Sequence, residues 1–235
     1  MLVFLSRIFI FLLLPLIAAA GVIAVDKSAS TKDRRLEVFL IFLFALGVGG
    51  SGVANFFAHF FLSDLVAESI GWPAGSPFQL EVAFANLLIG VLGFMAVGWR
   101  DGFREATVIA VTIFGVGATV VHIMDIAATG NLAPGNTLQN VLNLVKPALL
   151  IWILYMARQA EAAPESEART EAFDHWRGPI AQAAGSLTGI VASAFGIGYA
   201  LDRPLFISLI GAAIGLAVVF RILQQAPDHQ ITMAR

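Results

Sequence analysis

The sequence predicts an all-α, polytopic transmembrane helix bundle of about seven spans, with the amino terminus outside and the carboxyl terminus cytoplasmic. Three observations predict it. Of the 235 residues, 58% are hydrophobic and only 13% charged, where a soluble domain carries about 25% charged residues. Seven runs, at about 2–25, 36–63, 81–99, 105–127, 138–157, 179–201 and 204–221, are apolar over a length that crosses a hydrocarbon core as a helix. The basic residues fall on one side of these runs, which sets the direction of the chain.

No run alternates with period two in the manner of a barrel strand, and a helix satisfies its own backbone polar groups, as a bilayer demands. The first run could be read as a secretory signal, since Arg7 precedes an apolar stretch that ends in small residues. Its length exceeds a usual signal core, and cleavage would strand Lys27, Lys32, Arg34 and Arg35 outside; span 1 is therefore expected to be retained as an anchor. Lys27, Lys32, Arg34 and Arg35 follow span 1, Arg100 and Arg104 follow span 3, Arg158, Arg169 and Arg177 follow span 5, and Arg221 and Arg235 follow span 7. These are eleven of the fourteen basic residues; only Arg7, Lys146 and Arg203 lie elsewhere.

Four segments are expected: an anchor with its basic loop (1–35), a four-span core (36–157), a charged cytoplasmic linker (158–178), and a glycine-rich two-span hairpin with its tail (179–235). The linker, ARQAEAAPESEARTEAFDHWRG, reads as a loop with a short interfacial helix ending at His175 and Trp176. In the hairpin, Gly185, Gly189, Gly211 and Gly215 stand at spacings that let helix backbones approach. They would serve packing within the chain, or a homo-oligomer or membrane-complex partner.

A net charge of −2 with no basic stripe argues against nucleic acid as a partner, leaving the lipid bilayer. The absence of cysteine excludes disulfides, thiolate metal sites and Cys nucleophiles. A metal would need His, carboxylate or amide ligands.

Ionisable groups inside a span cost about 2.5–3.5 kcal/mol each and face protein or water. Here they gather toward one end of the bundle. Ser51, Gly52, Asn55 and His59 share one face of span 2, with Asp64 beyond. Gln79 and Glu81 open span 3, which also carries Asn86. Thr112, Gly115, Thr119 and His122 share a face of span 4, with Asp125 one turn on, and span 5 brings Asn140, Asn143 and Lys146. Spans 2 and 4 run the same way, so His59 and His122 lie at matching depth.

Each residue alone is explained by an interhelical hydrogen bond, a helix cap or an interfacial ion pair. Together, His59, His122, Glu81 and Asp125 suit a divalent metal such as zinc, iron or manganese, or the two imidazoles suit haem b as axial ligands. The segment GWPAGSPFQ, with two prolines and two glycines, cannot run as one regular helix; it reads as a connector anchored by Trp72, or as a lid. Lys146 precedes Pro147 inside span 5 and is expected to snorkel outward or to pair with an acid. A retinal protein is excluded, because the last span, PLFISLIGAAIGLAVVF, holds no lysine.

The motifs AHFF at 58–61, IGWPAGSPFQLEVAFANLLIGVLGF at 70–94, GATVVHIMD at 117–125 and NLAPGN at 131–136 resemble an uncharacterised family of small bacterial multi-span membrane proteins, a domain of unknown function, over about 45–157. The resemblance implies a bacterial cytoplasmic (inner) membrane and a pattern that includes His59, Glu81, Asn86 and His122. It implies no activity. Three functions stand open: a metal- or haem-binding redox protein with its site near the outer face, a small-solute or ion transporter, or an accessory subunit of a larger membrane complex.

Overall fold

A computed structural model describes residues 1–25, 31–161, 167–200 and 204–225. Lys27, Arg203 and Arg235 of the charge pattern lie outside the described residues, as do linker residues 162–166 and the side chains of His175 and Trp176. Seven helices are long and apolar enough to cross a membrane: Leu2–Val25, Lys32–Phe61, Phe78–Gly98, Gly102–Thr129, Pro134–Ala160, Gly178–Gly198 and Leu205–Gln224, called spans 1 to 7. Among the described residues there is no strand.

Span 2 is the axis of the bundle. It is 83% buried over its apolar window, against 28–44% for the other six. Two apolar clusters meet on it. One joins Phe11, Ala18, Phe42, Leu46, Leu187 and Val219 from spans 1, 2, 6 and 7. The other joins Leu40, Phe44, Val48, Ala96, Val108 and Leu150 from spans 2, 3, 4 and 5. The opposite faces of spans 3 to 5 expose Phe84, Leu88, Ile109, Ile113, Ile151 and Trp152, an apolar surface of the kind that lipid covers.

Spans 2 and 3 touch backbone to backbone. A Cβ on Gly52 would lie 2.5 Å from Gly90 Cα, and one on Gly93 would lie 2.5 Å from the Gly49 nitrogen. Close glycine-mediated approach therefore also links spans 2 and 3, which the small-residue spacing of the hairpin does not foreshadow. Within the hairpin, Gly211 packs against Ala194 and Gly215 against Leu187, so these two glycines serve the contact between spans 6 and 7. Gly185 and Gly189 have nothing within 4 Å of a Cβ.

A second departure concerns the linker. From Glu167 the chain is already helical, and one helix, Glu167–Ala200, runs on through Pro179 into span 6 in place of a separate interfacial piece. Pro is tolerated there at the cost of one backbone hydrogen bond.

At the end of the bundle where span 2 begins, charges are fastened together. Glu37 and Arg104 are each 2% exposed and pair in bidentate fashion, Nη1 to Oε2 at 2.6 Å and Nη2 to Oε1 at 2.9 Å. Arg104 Nε also donates to the Ala96 carbonyl, which ties spans 2, 3 and 4 at one point. Beside it, Arg158 of span 5 binds Glu105 at 2.7 and 3.1 Å and the Arg100 carbonyl at 2.7 Å.

Removing one partner of a buried pair leaves the other charge uncompensated, a loss of about 3–5 kcal/mol. Glu37→Gln is therefore expected to lower stability by about that amount in thermal or denaturant unfolding of the detergent-solubilised protein. Glu37→Leu combined with Arg104→Met should recover most of the loss; a double variant as unstable as the single one would show that the ion pair is not the cause.

Candidate functional site

At the opposite end of the bundle the polar residues form two linked networks. The first is built on the last turns of span 4. His122 and Asp125, three residues apart, share a face, and the helix stops at Gly130, whose φ of 70° is left-handed. The NLAPGN segment then folds back over that face. Asn131 Nδ2 donates to Asp125 Oδ2 at 2.9 Å and to the Ile70 carbonyl at 2.9 Å. Asn136 Nδ2 donates to the same carboxylate oxygen at 2.7 Å and to the Asn131 carbonyl at 2.8 Å.

Both amide hydrogens of Asn136 are thereby committed, and its Oδ1 faces His122 Nδ1 at 2.7 Å. An amide oxygen only accepts, so Nδ1 carries a proton. Asp125 thus fixes the His122 tautomer through Asn136. Trp72, just past the short helix Ser63–Ile70, stacks on the imidazole with ring centres 5.3 Å apart and planes 23° apart, and its indole donates to Asp125.

The second network runs along span 2. His59 Nδ1 lies 2.6 Å from Gln79 Oε1, so it too is the protonated nitrogen. One turn away, Arg7 of span 1 donates to Asn55 Oδ1, Asn55 Nδ2 donates to Asn86 Oδ1 at 3.2 Å, and Asn86 Nδ2 donates to the Val82 carbonyl at 2.8 Å. Deeper still, span 2 is a π-helix over Leu43–Gly50. Such wide turns are rare and tend to mark functional positions. Here the Gly47 carbonyl accepts Lys146 Nζ at 2.8 Å, and Ser51 Oγ accepts it at 2.9 Å. Lys146 therefore neither snorkels outward nor meets an acid. It reaches across the bundle to span 2 because the glycine leaves that carbonyl uncovered.

These groups surround a cavity of about 430 Å³ beneath the 71–78 segment. His59, His122, Gln79, Asn86, Gln139 and Asn143 supply its polar wall, and Trp72, Phe78, Ile113 and Phe114 its apolar wall. A smaller pocket of about 40 Å³ shares Arg7, Asn55, Asn86, Gln139 and Asn143 with it and reaches Ser51 and Lys146. Gln139 Nε2 donates to Asn143 Oδ1 at 3.2 Å, while Gln139 Oε1 is buried without a partner.

Of the residues singled out from the sequence, His59 and His122 line one cavity, and Asn55, Gln79, Asn86 and Asn143 line it with them. Glu81 does not. It is exposed, two positions from Gln79 and so about 200° round the helix from the face that meets His59. Asp125 lies behind His122, outside the cavity wall, and Asp64 accepts the Gly75 amide at 3.0 Å on the surface. Among the described residues no three His, Asp or Glu side chains gather as a metal ion would require, so the quartet of His59, His122, Glu81 and Asp125 is not assembled. Asn140 holds the Asn136 carbonyl at 3.1 Å, and Thr119 is buried with its hydroxyl unpartnered. Sequence reasoning passed over Arg7, Gln139, Asn131 and Asn136. Arg7 carried a usable signal, an arginine inside an apolar run, but had been counted only toward topology.

These seven apolar spans, enclosing a polar cavity, define an integral membrane protein of the helical-bundle class. The model of a family of unknown function, DUF6790, matches residues 6–163, and the chain belongs to that family. The match takes in most of span 1, spans 2 to 5, and every residue but Phe4 that lines the two pockets around Asn86. Comparison with the curated proteins and with the solved structures finds no match.

Asn136→Leu is expected to cost about 1–3 kcal/mol in thermal unfolding, since it strips partners from both His122 and Asp125. Glu81→Gln, a change on an exposed face, should stay within about 0.5 kcal/mol of the parent protein.

Proposed function

We propose that the protein binds a small polar solute in the cavity between spans 1 and 5 and carries it across the membrane. One observation carries this reading: five side-chain amides (Asn55, Gln79, Asn86, Gln139 and Asn143) and two imidazoles converge on one cavity in an otherwise apolar bundle. Polar groups at such depth are costly, and convergent ones mark solute pathways. The basic residues orient the bundle, with the His59 and His122 end outside and the Glu37–Arg104 end cytoplasmic. On the cytoplasmic side of Lys146 the cavity gives way to Leu40, Leu43, Phe44, Val48 and Leu150, closed by the Glu37–Arg104 pair. That is the arrangement of a carrier open toward one face only.

In this reading residues 36–157 with span 1 hold the solute, and spans 6 and 7 are scaffold. Gly185 and Gly189 leave a small-residue face there for a second copy or a partner helix. The membrane is taken to be a bacterial cytoplasmic one. A second reading, haem b between His59 and His122, is favoured by one feature: each imidazole engages an amide through Nδ1 and keeps Nε2 for another ligand.

The chain has no cysteine, so single cysteines report orientation cleanly. Ser76→Cys should react with a membrane-impermeant maleimide on intact cells, and Asp101→Cys only after permeabilisation; the reverse pattern would invert the proposed direction. For function, the purified protein is screened by thermal shift against sugars, amino acids, organic acids and amides. At least one class should raise the melting temperature, and Asn86→Leu and His59→Leu should abolish the effect. A Soret band in the purified protein, lost in His59→Ala and His122→Ala, would move the assignment to haem.

A further inference from the structure

We infer that the solute is an organic carboxylate with an apolar body, its carboxylate seated against Lys146. The inference rests on the solute-binding reading above and names the class of solute. Lys146 Nζ has two partners, the Gly47 carbonyl and the Ser51 hydroxyl, and both are neutral. An ammonium group has three hydrogens to donate, so one remains for a ligand. A buried cation met only by neutral oxygens is poorly compensated, and an anion at that place offsets the cost.

The surroundings fit an anion. Among the described residues no Asp or Glu lines either the 430 Å³ cavity or the 40 Å³ pocket at Lys146. The smaller pocket brings donors together, Lys146, the Arg7 guanidinium and the amides of Asn55, Asn86 and Asn143, beside the Gln139 amide and the apolar Phe11, Val111 and Leu142. Its volume exceeds the roughly 30 Å³ share of one water molecule, which is room for a single carboxylate-sized group. The larger cavity, across the shared wall, is chiefly apolar, with Ile70, Phe78, Val82, Ile113, Phe114 and Val121 facing it. A small inorganic anion would leave that apolar space unused, and a sugar would leave it unmatched. A carboxylate with a hydrocarbon or aromatic body fills both parts, whether it arrives from water as a short-chain acid or from the bilayer as a fatty acid.

The test uses the full chain in detergent and isothermal titration with sodium benzoate, butyrate and decanoate. Benzamide and butyramide serve as neutral isosteres, sodium chloride as the bare anion, and glucose and glycerol as unrelated polar solutes. At least one carboxylate should bind, its amide about tenfold to a hundredfold more weakly. Preference for decanoate over butyrate and benzoate points to a bilayer source, and the reverse to an aqueous one. Lys146→Met should lose carboxylate binding while melting no lower than the parent, because it removes a buried charge. Lys146→Arg should keep part of the binding.

Amides that bind as well as their acids, or carboxylate binding unchanged in Lys146→Met, would overturn the inference. So would chloride competing as strongly as benzoate. Glucose or glycerol binding without any carboxylate would sink the anion assignment alone and leave solute binding standing, whereas no binding by any probe would count against both.

Discussion

Span 2 is packed on every side, and each polar group that it carries must be met by another helix of the same chain. This constraint organises the bundle from one end to the other. Glu37 meets Arg104 of span 4. The Gly47 carbonyl and Ser51 meet Lys146 of span 5. Asn55 meets Arg7 of span 1 and Asn86 of span 3, and His59 meets Gln79 at the start of span 3. The neutral contacts among these are each worth about 0.5–1.5 kcal/mol net, and the charge-assisted ones more. Left unmet in an apolar bundle, each group would cost more than that. The polar groups of span 2 thus fix the rotation of its neighbours, and the apolar clusters on either side fill in around them.

The two ends of the bundle use charge differently. At the Glu37 end opposite charges are paired and bidentate, a geometry suited to closing a gap between helices. Toward the His59 end and the middle the groups are chiefly amides, imidazoles and cations that meet dipoles. Dipoles can rearrange around a ligand at small cost, and a paired ion cannot. The contrast explains why the cavity lies where it does.

The spans were legible because apolar length is a property of the sequence alone. All seven recur, although span 3 starts at Phe78, before the Glu81 boundary that hydropathy suggests, and span 4 runs on to Thr129. The site was legible as a region, since His59, Asn86 and His122 stand out in apolar surroundings. Its wiring was not. Whether Glu81 or Gln79 faces His59 depends on the rotation of span 3, which is set by the contact of Gly90 and Gly93 with span 2. Glu37 and Arg104 stand near the ends of their spans, where charges are ordinary, and nothing in their sequence separation foretells a buried pair. The roles of Asn131 and Asn136 depend on a loop folding back over His122, and Asn-rich loops are too common for that to be read from composition.

The close contacts also imply how such a bundle would move if it carries its solute. Spans 2 and 3 are joined by backbone contact at Gly52, Gly90 and Gly93, where no side chain can slide. Spans 4 and 5 are joined by Gly115 against the Asn143 carbonyl and by Arg158 on Glu105. Each pair therefore behaves as one body. The cavity lies between the two pairs, and it is bridged toward the Glu37 end by Lys146 on Gly47 and by Glu37 with Arg104. Opening that end requires the pairs to separate there, which exposes both ions of the Glu37–Arg104 pair. In a dry bundle this is prohibitive, but with water entering the gap each ion regains hydration as the pair parts. A carboxylate at Lys146 would weaken the first bridge by drawing the ammonium group toward itself, leaving the ion pair as the last barrier between the cavity and the Glu37 end of the bundle.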